Sequence, residues 1–432
     1  MAADLKQFPL GKNCSVDAQH GALYPEQGLA VNFEPLRVTA GDRLVPKDPE
    51  LAYQIAVYSP TPDPQYIYTY AYPSDSNLTV FEPTKSVFVI KTGAHRFTES
   101  AYVRLIIHKA LSETGAFLSD FFYWEGNAEE EPVPDWIEEE AERVAMRVQR
   151  RRRPEDAVFL LLSDSHYTIG CNWRFTRASL TAVQRRVSAE GLIHLGDITD
   201  GLLPGEWTVR YTKRVVSDMQ LLGIPCYGCL GNHDRNYFRG NSYGLSRSEC
   251  SQLCLGRPEP DYCIDYPEQR LRMIFLDSFD PQRKERYGFS NDTVRHLAKM
   301  LEQAPDGFRV MVFSHVPPLA KLHVWSNTIL NSGQAIRLLH DFRKKRGGDV
   351  LGWVHGHNHA DQIDFSQGFP IVSVGCSKLE SFWEYKPAGS VTQMRRAGEP
   401  SQELWDVLVV HAHSRDFDLI RYGAGVDRFI HQ

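Results

Sequence analysis

The stretch Tyr227-Gly228-Cys229-Leu230-Gly231-Asn232-His233-Asp234-Arg235 decides how this chain reads. Leu221, Leu222, Ile224 and Leu230 lead into Gly231-Asn232-His233-Asp234. That places a polar turn at the carboxyl end of a buried strand, where glycine lets the backbone crowd a ligand. Open α/β sheets bind ligands at such ends. Four further segments repeat the plan: Val158 to Leu162 before Asp164-Ser165-His166, Leu192 to Leu195 before Gly196-Asp197, Val310 to Phe313 before His315, and Leu351 to Val354 before Gly356-His357-Asn358-His359. One such motif alone is close to noise, whereas five in chain order bring Asp164, His166, Asp197, Asn232, His233, His315, His357 and His359 to one place.

Hydrolysis of a phosphate ester needs a nucleophile at neutral pH, neutralised phosphoryl oxygens and a proton for the leaving oxygen. Two metal ions about 3.5 to 4 Å apart supply the first two by sharing a hydroxide and clamping the phosphate. Such a pair needs a bridging carboxylate among neutral nitrogen and oxygen donors, and this set contains that mixture. His357 and His359 lie two apart, so an extended segment would point both side chains to the same side.

From Val158 to the C-terminus the ordered motifs resemble the calcineurin-like metallophosphoesterases. The resemblance implies an α/β fold of two stacked mixed sheets flanked by helices, a four-layer α/β/β/α sandwich. It also implies that Asp164, His166 and His359 hold one metal, that Asn232, His315 and His357 hold the other, and that Asp197 bridges them. His233 would face the scissile phosphate without binding metal, and Asp234 would orient and charge its imidazole. The expected reaction is attack of a metal-bridging hydroxide on a small phosphate ester, a diester rather than a monoester. A donor set without thiolate suits two divalent ions such as Mn, Fe, Zn or Ni. The purple acid phosphatases carry Gly where His166 stands, so no purple chromophore is expected. Asp-x-His with Gly-Asn-His-Asp is also similar to the pattern of bacterial cyclic-nucleotide phosphodiesterases. The ending Arg421-Tyr422-Gly423-Ala424-Gly425-Val426-Asp427-Arg428 is similar to the tail of a bacterial and phage-associated subset of the family.

The 432 residues suit two domains. With 42% hydrophobic and 24% charged residues, the composition is that of a soluble globular protein. No apolar run approaches the roughly 18 residues of a membrane span. No secretory signal stands behind Met1, so the expected location is cytoplasmic. There the eight cysteines would be reduced thiols. Cys226 and Cys229 read as buried strand thiols in preference to a redox pair or zinc knuckle, and Cys250, Cys254 and Cys263 as loop and core thiols in preference to a small metal site or disulfide. The net charge of −6 gives no general attraction to nucleic acid, which enters only as a possible substrate.

Residues 1–120 read as an all-β sandwich resembling carbohydrate-binding modules, with strand-type runs at Gln54 to Tyr58, Tyr66 to Tyr72, Val87 to Ile90 and Tyr102 to Ile107. Tyr66, Tyr68, Tyr70 and Tyr72 could form a glycan-stacking platform, although alternating tyrosines are more often sheet packing. Residues 121–154 read as an acidic, Pro-rich connection and an amphipathic helix with Ile137, Ala141, Val144 and Val148 on its apolar face. Residues 155–432 form the predicted metallophosphoesterase domain, with the stretch from Asn236 to Tyr266 as a loop-like insertion beside the site. Two competing readings follow from this layout. One is a cell-surface or glycan-binding protein whose esterase acts on glycan-linked phosphodiesters, and the other is a scaffold that keeps the fold without the chemistry.

Overall fold

The computed structural model of the chain describes residues 5–16, 23–39, 42–58, 94–97, 101–111, 115–125, 133–167, 172–201, 205–237, 244–379, 386–396 and 398–432. Two compact units emerge, Met1–Pro132 and a second comprising Val133–Tyr167 and Asn172–Gln432. Among the described residues no helix is long and apolar enough to cross a membrane.

Among the described residues the N-terminal unit holds two antiparallel sheets. The larger runs β1 (Leu10–Val16), β2 (Leu23–Asn32), β7 (Ala101–Ile107), β3 (Leu36–Val38), with β5 (Tyr53–Tyr58) also on β7. The smaller runs β6 (His95–Arg96), β4 (Arg43–Pro46), β8 (Phe122–Glu125). Alternate residues Val103, Leu105 and Ile107 of β7 enter one buried cluster with Tyr53, Leu44 and Phe122, as the period of two requires. Helix α1 (Leu118–Phe121) leads directly into β8. The β-rich part thus continues past residue 120, because Phe122 turns inward while Tyr123 stays exposed. The expected strands at Tyr66 to Tyr72 and Val87 to Ile90, with the four tyrosines, lie outside the described residues.

In the second unit one six-stranded sheet has the order β11 (Cys226–Gly228), β10 (Gly191–His194), β9 (Ala157–Leu162), β18 (Leu404–Val410), β19 (Phe417–Gly423), β20 (Arg428–Ile430). The other runs β12 (Tyr262–Tyr266), β13 (Leu271–Leu276), β14 (Arg309–Ser314), β15 (Asp349–His355), β17 (Ile371–Ser373), β16 (Gln362–Asp364). The motif-bearing strands β9, β10 and β11 are mutually parallel, as are β13, β14, β15 and β17. All six side chains of β9 and all six of β14 are buried. Strands covered on both faces read as unbroken apolar runs, which is why they were visible in the sequence. The sheets meet through Phe159, Ile193, Phe275, Phe313 and Leu408. Helices α6 (Asn291–Glu302) and α7 (Ser332–Arg346) cover the second sheet through Leu297, Leu301 and Leu339. Helices α2 (Asp135–Arg151) and α3 (Trp173–Val187) pack on the first sheet, while α4 (Gly205–Gln220) follows β10 in the chain. The described part of the insertion is more ordered than its composition suggests. It holds α5 (Arg247–Leu255), whose capping box pairs Ser246 with Glu249, and then β12.

The C-terminal Arg421–Arg428 motif acts as a staple. Arg421 Nε lies 2.9 Å from Asp406 Oδ1 and its Nη2 2.8 Å from Asp361 Oδ1. Arg428 reaches the same two carboxylates at 2.6 and 2.9 Å. Asp427 accepts from the Arg421 backbone N–H and from Arg147 of α2, and Tyr422 Oη donates to the Ile137 carbonyl. An Arg421→Met variant should lose about 3 to 5 kcal/mol of unfolding free energy, because two buried carboxylates lose their main counter-charge. Arg147→Ala, whose side chain is 34% exposed, should lose no more than about 1 kcal/mol. Urea denaturation of the two variants checks the order, and equal losses would mean the staple is not a stability element.

Candidate active site

Each predicted site residue follows its strand immediately: Asp164 and His166 after β9, Asp197 after β10, Asn232 to Asp234 after β11, His315 after β14, His357 and His359 after β15. The backbone there is wound left-handed, with φ of 53° at Asp164, 38° at His166, 55° at Asp197, 69° at His357 and 52° at His359. Non-glycine residues hold this conformation only where surrounding structure enforces it, and such strain gathers at functional sites. His357 and His359 therefore reach the cluster from a left-handed turn, not from the extended segment that their spacing suggested. Two glycines permit the crowding. A Cβ on Gly231 would stand 2.1 Å from Asp197 Oδ1, and one on Gly356 would stand 1.9 Å from Ser163 Oγ.

Two donor groups result. Asp164, His166, Asp197 and His359 form one, and Asp197, His315 and His357 the other, with donor atoms in each group within 4.8 Å of one another. Asp197 belongs to both. Its Oδ2 lies 3.1 Å from His315 Nε2 and 3.6 Å from His166 Nε2. Asn232 Oδ1 adds a neutral oxygen 3.0 Å from His315 Nε2. The nitrogens face one another, His166 Nε2 to His359 Nε2 at 3.1 Å and His315 Nε2 to His357 Nδ1 at 3.2 Å. Asp164 Oδ1 is buried and accepts no well-directed hydrogen bond. Converging lone pairs around a buried carboxylate oxygen fit a cation between them, and these oxygen and imidazole donors suit divalent transition metals.

The electrostatics agree with that fit. Burial opposes charge on His166, but its hydrogen bonds to Asp164 and Asp200 and the nearby Asp197 carboxylate lift it to about 10. Burial likewise opposes ionisation of Asp164, yet His359, His166 and His315 hold it well below the usual carboxylate range. The buried carboxylates thus stabilise positive charge at this point, the place that bound cations would take.

His233 lies beside this cluster. Its backbone N–H donates to Asp197 Oδ1 at 2.7 Å, its Nδ1–H donates to the Asp200 carbonyl at 2.6 Å, and its Nε2 stands 4.0 Å from Asp197 Oδ2. Asp234 does not orient this ring, contrary to expectation. Its carboxylate accepts the backbone N–H groups of Asp197, Ile198 and Gly231 at 3.0, 2.7 and 2.8 Å. Those bonds spend its oxygens on the Asp197 loop, so Asp234 braces the shared carboxylate while Asp200 holds His233.

Two further residues complete the surroundings. Asp200 Oδ1 lies 3.2 Å from His166 Nδ1, and its carboxylate meets buried Lys378 Nζ at 3.3 Å. A carboxylate behind a ligating histidine fixes the ring's tautomer and orientation. Its signal lay in the sequence, three residues beyond Asp197 in the same loop. His323 had no such signal; it comes from the loop after β14 and sets its Nε2 3.0 Å from His357 Nε2. Among the described residues the neighbouring thiols join neither donor group: Cys250 Sγ donates to the Asp234 carbonyl, and burial pushes Cys226 up to about 11.

The family model for calcineurin-like phosphoesterases matches residues 157–361. Those residues form a calcineurin-like phosphoesterase domain. A manganese-dependent ADP-ribose/CDP-alcohol diphosphatase from Arabidopsis thaliana is 28% identical over 134 residues, which cover 29% of this chain and 40% of that protein. The chain therefore matches less than half the length of this curated relative. Among solved structures, a dimetal phosphatase from Danio rerio aligns with a TM-score of 0.45 and 17% identity, over 64% of this chain and 98% of that one. A purple acid phosphatase from yellow lupin (Lupinus luteus) aligns with a TM-score of 0.45 and 12% identity, over 98% of this chain and 74% of that one. The phosphoesterase domain contains all nine residues that the motifs singled out.

Proposed function

We propose that the protein is a dinuclear metal-dependent phosphoesterase that cleaves phosphodiester or diphosphate linkages of small molecules. The observation that carries this reading is Asp197, whose carboxylate belongs to both donor groups. Asp164, His166 and His359 would hold one ion, and Asn232, His315 and His357 the other. When bound, the pair would supply a hydroxide nucleophile at neutral pH and neutralise the phosphoryl oxygens. The chain's own residues do the rest. Asp234 and Gly231 fix the Asp197 loop, Asp200 orients His166 and His233, and His233 presents Nε2 to the leaving oxygen. The plant relative's diphosphatase activity and manganese dependence favour a diphosphate or diester substrate and Mn among the possible ions. Buried thiols such as Cys229, Cys250 and Cys376 suit a reducing compartment, consistent with a cytoplasmic location.

Elemental analysis of the protein saturated in turn with Mn, Zn, Fe and Ni should find close to two ions per chain. Chelation should abolish hydrolysis of a panel of phosphomonoesters, phosphodiesters and nucleoside diphosphate conjugates, and the best ion should restore it. One ion or none at saturation would sink the dinuclear reading.

A further inference from the structure

Behind His357, on the side away from Asp197, the protein has built a second imidazole. His323 is 7% exposed. Its ring lies nearly parallel to that of His357 with centroids 4.9 Å apart at 24°, and the two rings meet at their Nε2 atoms, 3.0 Å apart. Tyr287 covers both rings, with centroids 4.5 Å from His323 and 5.4 Å from His357. The segment carrying His323 is tied to the ligand turn by Asn358, whose Nδ2 donates to the Leu322 carbonyl at 2.6 Å. Two elements far apart in sequence are thus fastened with these ring nitrogens in register.

A neutral imidazole has one proton to place. His357 turns Nδ1 toward His315 Nε2 at 3.2 Å, within the group that includes Asp197. To offer the Nδ1 lone pair there, it must carry its proton on Nε2. Buried in this position, an unanswered N–H would cost roughly 1 to 3 kcal/mol, enough to make the opposite tautomer competitive. His323 Nε2 is the acceptor within reach. The other end of the His323 ring has backbone on both sides: Trp325 N–H stands 3.2 Å from Nδ1, and the ring also hydrogen-bonds the Ser326 backbone. Accepting at Nε2 requires the His323 proton on Nδ1, where the Ser326 backbone takes it; with the proton on Nε2 instead, Nδ1 would accept from Trp325 and His323 could not serve.

We propose that His323 is a positioning residue for the second metal: it accepts the Nε2 proton of His357 and so commits His357 to binding through Nδ1. This rests on the dinuclear reading above. Outer partners of ligating histidines typically contribute about 10 to 100-fold in metal affinity.

The test is a Mn(II) titration of the full-length protein, followed by calorimetry and elemental analysis, with His323→Ala and His323→Gln beside the parent. The parent should take two ions. His323→Ala should weaken one binding step by about 10 to 100-fold and leave the other at its parental constant. His323→Gln, whose amide oxygen can accept the same proton, should recover most of that loss. The metal-free proteins should unfold at matching temperatures, which separates ligand positioning from general destabilisation. The proposal is overturned if the parent binds two ions and His323→Ala binds both with parental constants, or if His323→Gln is no better than His323→Ala. A parent that saturates with a single ion overturns the dinuclear reading itself, and this inference with it.

Discussion

Replacing Asp197 by alanine is expected to strip the protein of both metal ions and essentially all turnover, a larger loss than any other single ligand change. Its Oδ2 stands within reach of His315 Nε2 at 3.1 Å and His166 Nε2 at 3.6 Å, so one carboxylate serves both donor groups. Its Oδ1 accepts the His233 backbone N–H at 2.7 Å, which also ties the shared carboxylate to the turn carrying His233. Loss of a partner that only orients a ligand costs about 10 to 100-fold in affinity or activity. Loss of a ligand shared by two ions must exceed that, because each ion then meets the other's charge without the anion between them. Asn232→Ala removes a neutral oxygen from one group and should chiefly weaken one ion. Asp197→Asn keeps the shape and the acceptor but removes the charge, so it should retain folding and Oδ1 geometry while binding metal poorly. Elemental analysis and turnover on a nitrophenyl diester, run on all three variants, check the ranking. Parental metal content in Asp197→Ala would mean that the shared carboxylate has been misassigned.

The candidate ligands were legible because of where they sit. Asp164, Asp197 and His315 follow strands buried at every position, which read as largely apolar runs, whereas β11 before Asn232 is only half-buried at Cys226 and Tyr227 and Leu221 ahead of it is exposed. Asn232 and His315, 83 residues apart in sequence, end 3.0 Å apart because β11 and β14 deliver them from facing sheets. What the sequence could not carry was the partner of each partner. Asp234 follows His233 directly, which suggested a role on its ring, yet the 3-10 turn at His233–Arg235 aims the carboxylate at three backbone N–H groups instead. The Arg421–Arg428 tail was conspicuous as a pattern and opaque in purpose, since its carboxylate partners Asp361 and Asp406 lie on two other elements. That staple now connects to the site: Asp361 stands two residues after His359, so the buried arginines fasten the base of the ligand turn. His323 illustrates the limit most clearly. It lies in an irregular loop, and only the contact of its Nε2 with that of His357 reveals it.

A His233→Ala variant should lose about 10² to 10⁴ in turnover on alkyl phosphodiesters, the range that a positioned proton donor contributes, while keeping both metal ions. The ring's surroundings define what it can do. With Nδ1–H committed to the Asp200 carbonyl, Nε2 is the atom that faces the reacting groups. Burial holds His233 down to about 4, so in the resting site the ring is neutral and Nε2 presents a lone pair. An anionic phosphodiester entering beside it favours the imidazolium, as any nearby negative charge does for a histidine. The proton taken up at Nε2 is then positioned to pass to the departing oxygen. A general acid matters in proportion to how poorly the leaving group departs unaided. The loss should therefore be far smaller on nitrophenyl diesters, whose anion is stable without a proton. His315→Ala and His357→Ala should behave differently, losing metal and losing both substrates together. Turnover on an alkyl and a nitrophenyl diester, measured beside metal stoichiometry, separates the cases. Equal losses on the two substrates would remove His233 from proton transfer, and a loss of metal would make it a ligand.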